Sequence, residues 1–153
     1  MIISFTGHAF VPFADTVKKS VLEEIRSLTA GEERVLFYLG GYGDFDGIAA
    51  SACREIKKER CGVELIYVTP YISPSEQVHI SDALALGLYD SALYPPLERV
   101  PERLAILKRN EWMMANADAV IAYVKHNYGG AYKALAVAKR KKKKIINICD
   151  LTE

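Results

Sequence analysis

The chain lacks a large net charge, a long hydrophobic run and a paired set of cysteines, and each absence removes a class of protein. Twenty Lys and Arg against 19 Asp and Glu leave a formal +1 over 153 residues, so no global field marks a nucleic-acid or membrane-surface protein. The apolar runs are strand-sized, too short for a membrane span, and Met1–Gly7 has neither a basic leader nor an apolar stretch ending in a cleavage site. A cytoplasmic chain is expected. The three cysteines, Cys53, Cys61 and Cys149, form no CxxC pair, which argues against a zinc site or a disulfide framework. His79 and His126 have no ligand-like spacing, so no metal is expected. There is no internal repeat and no linker.

Half the residues are hydrophobic and a quarter charged, the composition of a folding domain. A strand over Met1–Phe5 is followed by helical spacing from Ala14 to Leu28 (Val17, Val21, Leu22, Ile25, Leu28). The cycle repeats with Val35–Leu39, a glycine-rich turn over Gly40–Gly47, and a helical face of Ile48, Ala49, Ala52, Cys53 and Ile56 before Gly62. Strands are then expected over Val63–Thr69, Ala92–Tyr94, Ala119–Val124 and Ile145–Ile148, with helices over Ser75–Leu86, from Pro101 to about Asn116, and over Ala131–Lys141. This alternation predicts right-handed βαβ crossovers and a mostly parallel sheet of five to six strands covered on both faces.

Ligands of such sheets bind beyond the carboxyl ends of the strands, and three strand-to-helix turns there carry glycine: Gly7, Gly40–Gly47, and Gly129–Gly130. Glycine permits close backbone approach, and a helix N-terminus offers N–H groups to a phosphate. The segment Gly40-Gly-Tyr-Gly-Asp-Phe-Asp-Gly47 is neither a strict dinucleotide fingerprint, having Asp46 at the third glycine position, nor a P-loop, having Ile48 where Lys is required. Its glycines Gly40, Gly41, Gly43 and Gly47 still favour a phosphate or ribose cradle over a merely tight turn. One of Asp44 and Asp46 is expected to cap the following helix, leaving the other for ribose hydroxyls. His8 follows the first turn glycine and is placed to meet a ligand, although a lone His at a strand end is more often structural. Arg109, Trp112 and Met113 share a helix face, which spacing alone reads as a surface Arg beside an aromatic anchor; the fluorescence of the sole tryptophan is expected to report on the cleft. The six consecutive cations Lys139–Lys144 leave 14 basic against 19 acidic residues elsewhere. At a helix C-terminus they are expected to be a solvated end complementing the macrodipole, with a nucleic-acid patch as the alternative.

Together, Phe5-Thr-Gly-His8, Leu39-Gly-Gly-Tyr-Gly-Asp-Phe-Asp-Gly47, Arg109-Asn-Glu-Trp-Met113, Asn116-Ala-Asp-Ala-Val-Ile121 and Tyr128-Gly-Gly-Ala131 resemble the SLOG superfamily. That group contains the Lonely Guy phosphoribohydrolases and DprA, and the opening and glycine turn look most like its short, bacterial YpsA-like branch. The resemblance implies one Rossmann-like three-layer domain over residues 1–153, a nucleotide-type ligand across the glycine turns, no obligatory cofactor, and a homo-oligomer, often a dimer. In the Lonely Guy enzymes an Arg before the fifth strand and a Glu in a PGGxGTxxE segment serve N-glycosidic cleavage. Arg109 matches the Arg, but Lys133 stands for the Thr and Ala136 for the Glu, and no acidic residue occurs from Ala119 to Cys149.

An oxocarbenium-like centre needs a carboxylate, and losing one costs roughly 2.7–4 kcal/mol by analogy with a lost oxyanion donor. The expected function is therefore binding of a nucleotide or nucleotide derivative, as in a sensor or carrier. Phosphate would lie on Gly40, Gly41, Gly43, Gly129 and Gly130, with charge from Arg109 and Lys133 and ribose on Asp44 or Asp46. The alternatives are a hydrolase of the N-glycosidic bond, with Arg109 and a relocated carboxylate from Asp44, Asp46 or Glu111, and a nucleic-acid module using Lys139–Lys144.

Overall fold

In the computed structural model, which describes residues 1–151, the elements run β1 (Ile2–Gly7), α1 (Ala14–Thr29), β2 (Val35–Leu39), α2 (Gly43–Glu59), β3 (Val63–Val68), α3 (Pro74–Ala85), β4 (Ser91–Leu93), a 3-10 turn (Glu102–Leu104), α4 (Ala105–Ala115), β5 (Ala119–Tyr123), α5 (Gly130–Arg140), β6 (Lys144–Asn147) and α6 (Ile148–Leu151). All pairings are parallel, in the order β4-β3-β2-β1-β5-β6. This is a Rossmann-like α/β sheet. Strand order reverses direction at β1 and β5, where a crevice opens at the strands' carboxyl ends.

Alternation along the strands sorts the core into two layers. Ile3, Phe5, Phe37, Ile121 and Tyr123 pack with Val17, Val21 and Ile25 of α1 and with Phe45, Ala49 and Ala52 of α2. Tyr38, Val120 and Ala122 point the other way, onto Met113 and Met114 of α4 and Ala134, Leu135 and Ala138 of α5. β5 is buried along its whole length, as a continuous apolar strand between two helical layers should be. Ser4 lies inside the second layer and donates its hydroxyl to Met113 C=O at 2.8 Å, fixing the height of α4 against β1. The Asp118 carboxylate accepts the Ile2 N–H at 2.7 Å and registers β5 with β1.

Three boundaries differ in substance from expectation. α2 begins at Gly43, so the second half of the glycine run is helix, held by Asp44 N–H donating to Ala9 C=O at 2.9 Å. Its N-cap is Tyr42, with no side-chain cap bond, so neither Asp44 nor Asp46 is the cap. Pro101 precedes a 3-10 turn before α4 starts. The last strand ends at Asn147, because Ile148 turns into α6 and buries in the first core layer. Cys53 and Cys149 are buried and Cys61 is exposed.

Candidate functional site

A cleft of about 280 Å³ lies at the switch point, lined by the ends of β1 (Phe5–Gly7), His8 and Ala9, Gly40, Tyr42, Gly43 and Asp46, the α4 residues Ile106, Arg109 and Asn110, and Gly130 and Ala131 of α5. Arg109 is its central feature. It is 1% exposed, which no surface arginine would be. Its Nη1 donates to Gly40 C=O at 2.9 Å and Val68 C=O at 2.6 Å, and its Nε donates to Asn110 Oδ1 at 2.8 Å. The guanidinium sits over the Tyr42 ring, 5.4 Å from the centroid. Among the described residues Nη2 has no hydrogen-bond partner. Burial pulls the Arg109 pKa below its ordinary value, with Asp46 opposing, yet the group stays charged at any physiological pH. A guanidinium with one nitrogen free at a cleft wall has the chemistry to pair with an anionic oxygen.

Asp46 shares this cleft. A Cβ placed on Gly40 would stand 3.0 Å from Asp46 Oδ2 and 3.3 Å from Arg109 Nη2, so the glycine is the space between the two groups. The Asp46 carboxylate accepts the Tyr42 N–H at 2.9 Å. Burial raises its pKa to about 6, against the lowering effects of that hydrogen bond and of Arg109. Asp44, two residues earlier, is turned away: its carboxylate accepts the Val11 N–H at 3.0 Å and fastens the β1–α1 loop. Glu111 pairs with Lys108 on the outer surface of α4 at 3.1 Å. Of the three candidate carboxylates, only Asp46 faces Arg109.

The two helix N-termini at the cleft are not equivalent. Asp44 and Phe45 at the start of α2 spend their N–H groups on Ala9 C=O and His8 C=O. At α5, Lys133 N–H turns back to Gly129 C=O at 3.1 Å, while the N–H groups of Gly130 and Ala131 have no partner among the described residues. Gly129 adopts φ +92°, a left-handed conformation that L side chains rarely adopt. The space around both glycines is open. The donors left without a partner are therefore at α5 and on Arg109.

Of the other expected site residues, Gly7 and Gly43 line the cleft, though Gly7 is also required for packing, since a Cβ there would fall 2.4 Å from the Phe45 ring. Gly41 packs against Tyr67. Gly47 lies inside α2 on a separate shallow surface with Asp44. Lys133 is exposed in α5 outside the cleft lining. Trp112 lies tilted against Tyr38 with ring centroids 5.4 Å apart and lines a groove with Val137 and Lys141, so its fluorescence reports on that groove rather than on the cleft. Tyr42 and Asn110 also line the cleft; Tyr42 stands between two glycines of the motif and Asn110 beside Arg109, and neither has a spacing signal of its own. Among the described residues no group of three or more His, Cys, Asp or Glu could hold a metal ion, and no helix is long and apolar enough to cross a membrane.

Fold and cleft together define a Rossmann-like α/β protein with a crevice at its switch point, walled by a buried arginine. No protein-family model and no curated protein matches the chain. Among solved structures it is similar to the DNA processing protein A (DprA) of Streptococcus pneumoniae, at 16% identity and a TM-score of 0.62, covering 94% of this chain and 48% of that one. It is also similar to DprA of Helicobacter pylori, a structure described for its single-stranded DNA binding mode, at 17% identity and a TM-score of 0.60, covering 95% of this chain and 63% of that one. The chain spans about half to just under two thirds of these proteins, and at such identities the likeness is one of fold.

Proposed function

We propose that the protein binds a nucleoside phosphate or a derivative of one in the switch-point cleft. The phosphate lies on the free N–H groups of Gly130 and Ala131 and on Arg109 Nη2, with the sugar over Gly40 beside Asp46. The observation that carries this reading is Arg109, 1% exposed and with one nitrogen unspent at the cleft wall. Thermal unfolding against nucleoside mono-, di- and triphosphates, cyclic nucleotides and ADP-ribose tests it. A ligand at a hundred times its dissociation constant adds about 2.7 kcal/mol of stability. Arg109→Lys keeps the charge but loses the fork and should weaken the hit at least tenfold. Silence across the panel at millimolar concentration refutes the reading.

Asp46 favours a second activity at the same site, hydrolysis of the N-glycosidic bond, because a carboxylate raised to about 6 stands across Gly40 from Arg109. Release of free base that disappears in Asp46→Asn would establish it; binding without release leaves a sensor or carrier. The likeness to DprA and the cations Lys139–Lys144, none of which forms an ion pair among the described residues, support a nucleic-acid partner. That surface lies at the opposite end of α5 from the cleft, about 16 Å away for 11 residues. A single strand held there would bind with a steep salt dependence, lost when Lys141–Lys144 become Gln. For a homo-oligomer, support comes from α3, where only Ala83 is buried and Val78 and Leu84 are exposed beside Leu86 and Leu88.

A further inference from the structure

We infer that His8 is a positioning residue, whose neutral imidazole clasps the β5–α5 loop and thereby sets the anion-binding N–H groups of α5 in place. The inference rests on the nucleotide reading of the cleft and adds to it the means by which its phosphate end is held. His8 Nε2 accepts the Lys125 N–H at 2.8 Å and the His126 N–H at 3.3 Å, across 117 and 118 residues of sequence. Two N–H groups aimed at one ring nitrogen require its lone pair, so the ring proton resides on Nδ1.

The backbone of His8 is fixed independently of the ring. Its N–H donates to Tyr123 C=O at 3.2 Å and its C=O accepts the Phe45 N–H at 3.3 Å, so the imidazole hangs from a rigid junction of β1, β5 and α2. The loop it holds starts from a second fixed point, where Asn147 exchanges hydrogen bonds with Val124 N–H at 3.1 Å and Val124 C=O at 2.9 Å. Beyond His126 and Tyr128, whose rings stack at 5.0 Å, the chain reaches Gly129 and the free N–H groups of α5. Between Val124 and Gly129 the only side chain that grips the loop backbone among the described residues, apart from Asn147, is that of His8.

Protonation of Nε2 would set a donor against two donors and open the clasp. The groups facing His8 all bear on that equilibrium. Burial above all, then His126, with its ring 4.7 Å away, and Lys125 oppose a positive charge, and together they lower the His8 pKa from its ordinary value. The Tyr123 ring meets the imidazole edge-on at 6.1 Å, and Asp46 and Arg109 line the same cleft. The clasp is thus closed at neutral pH and opens in acid.

The test compares wild type, His8→Gln and His8→Leu. Glutamine places a non-titrating acceptor where Nε2 lies; leucine fills the space with no acceptor. Amide hydrogen exchange at Lys125 and His126, corrected for intrinsic rates from pH 8 to pH 5, should show protection that falls with acid in wild type, persists in His8→Gln and is absent throughout in His8→Leu. At pH 8, affinity for inorganic sulfate, whose charge does not titrate in this range, should match wild type in His8→Gln and drop about tenfold in His8→Leu, the equivalent of one to two neutral hydrogen bonds. Equal exchange in all three proteins, or lost protection with unchanged sulfate affinity, overturns the inference. Because His126 and Asp46 remain in His8→Gln, acid-dependent opening in that variant would assign the switch to them and likewise overturn it. If the expected exchange pattern is found but neither sulfate nor any nucleotide binds even the wild type, the clasp stands and the nucleotide reading fails.

Discussion

Replacing Asp46 with Asn should make the protein more stable at pH 8 and leave it nearly unchanged at pH 4. The Asp46 carboxyl is raised from 3.8 to about 6, burial outweighing the Tyr42 N–H and Arg109. Two units at 1.36 kcal/mol each correspond to about 3 kcal/mol, and about 2 to 3 once the residual solvent contact of a partly buried side chain is allowed for. The folded state binds the proton more tightly than the unfolded chain, so this contribution is fully present below about pH 4 and lost as pH rises through about 6. At pH 8 the wild type carries a buried charge that the amide does not, while the amide oxygen still accepts from Tyr42 N–H. Urea denaturation at the two pH values measures the difference, which for a slope of about 2 kcal/mol per molar should move the midpoint upward by roughly 1 M at pH 8 alone. A variant less stable than wild type at pH 8, or shifted equally at both pH values, would show that Arg109 makes the carboxylate a net gain and would refute the reasoning. A costly carboxylate kept in a cleft is where function is expected.

Three other outcomes follow from the structure. Gly7→Ala drives a methyl into the Phe45 ring at 2.4 Å and should cost about 1–3 kcal/mol, read as a fall in thermal midpoint; an unchanged midpoint would mean that α2 can retreat. Phe13, 83% exposed, caps α1 at φ +56°, so Phe13→Gly relieves a left-handed residue and should stabilise by up to about 1 kcal/mol in chemical denaturation, whereas destabilisation would show the ring to be packed. Asp44→Ala frees the Val11 N–H and should cost about 1 kcal/mol and speed amide exchange at Val11 without altering ligand affinity. Reduced affinity would place Asp44 in the site after all.

The strands were legible because each is a continuous apolar run, and β5 above all could only be an interior strand. The helical faces of α1 and α2 were legible from four-residue spacing. What spacing could not give was the start of α2: four glycines in eight residues read as turn, but the carbonyls of His8 and Ala9, more than 30 residues away, begin the helix at Gly43. The same long-range contact separates the two aspartates. Residues two apart on a helix differ by about 200°, so Asp44 and Asp46 cannot share a surface, but only the packed structure tells which meets Arg109. For Arg109 itself, spacing favoured the surface and the family resemblance favoured the site; burial to 1% removes the first reading. His8 presents the converse case, a residue expected to meet the ligand whose ring nitrogen is already committed to backbone.

The cations of Lys139–Lys144 have a consequence for solubility. β6 is the last strand of the sheet and among the described residues pairs only with β5, so its outer row of backbone donors and acceptors is a template on which another molecule's strand could grow. Ile145 and Ile146, both partly exposed, would make that template adhesive. Lys144 opens the strand, and the charges before it crowd the approach, so two such edges repel before they can zip together. Charge at this open margin of the sheet disfavours fibrous self-association.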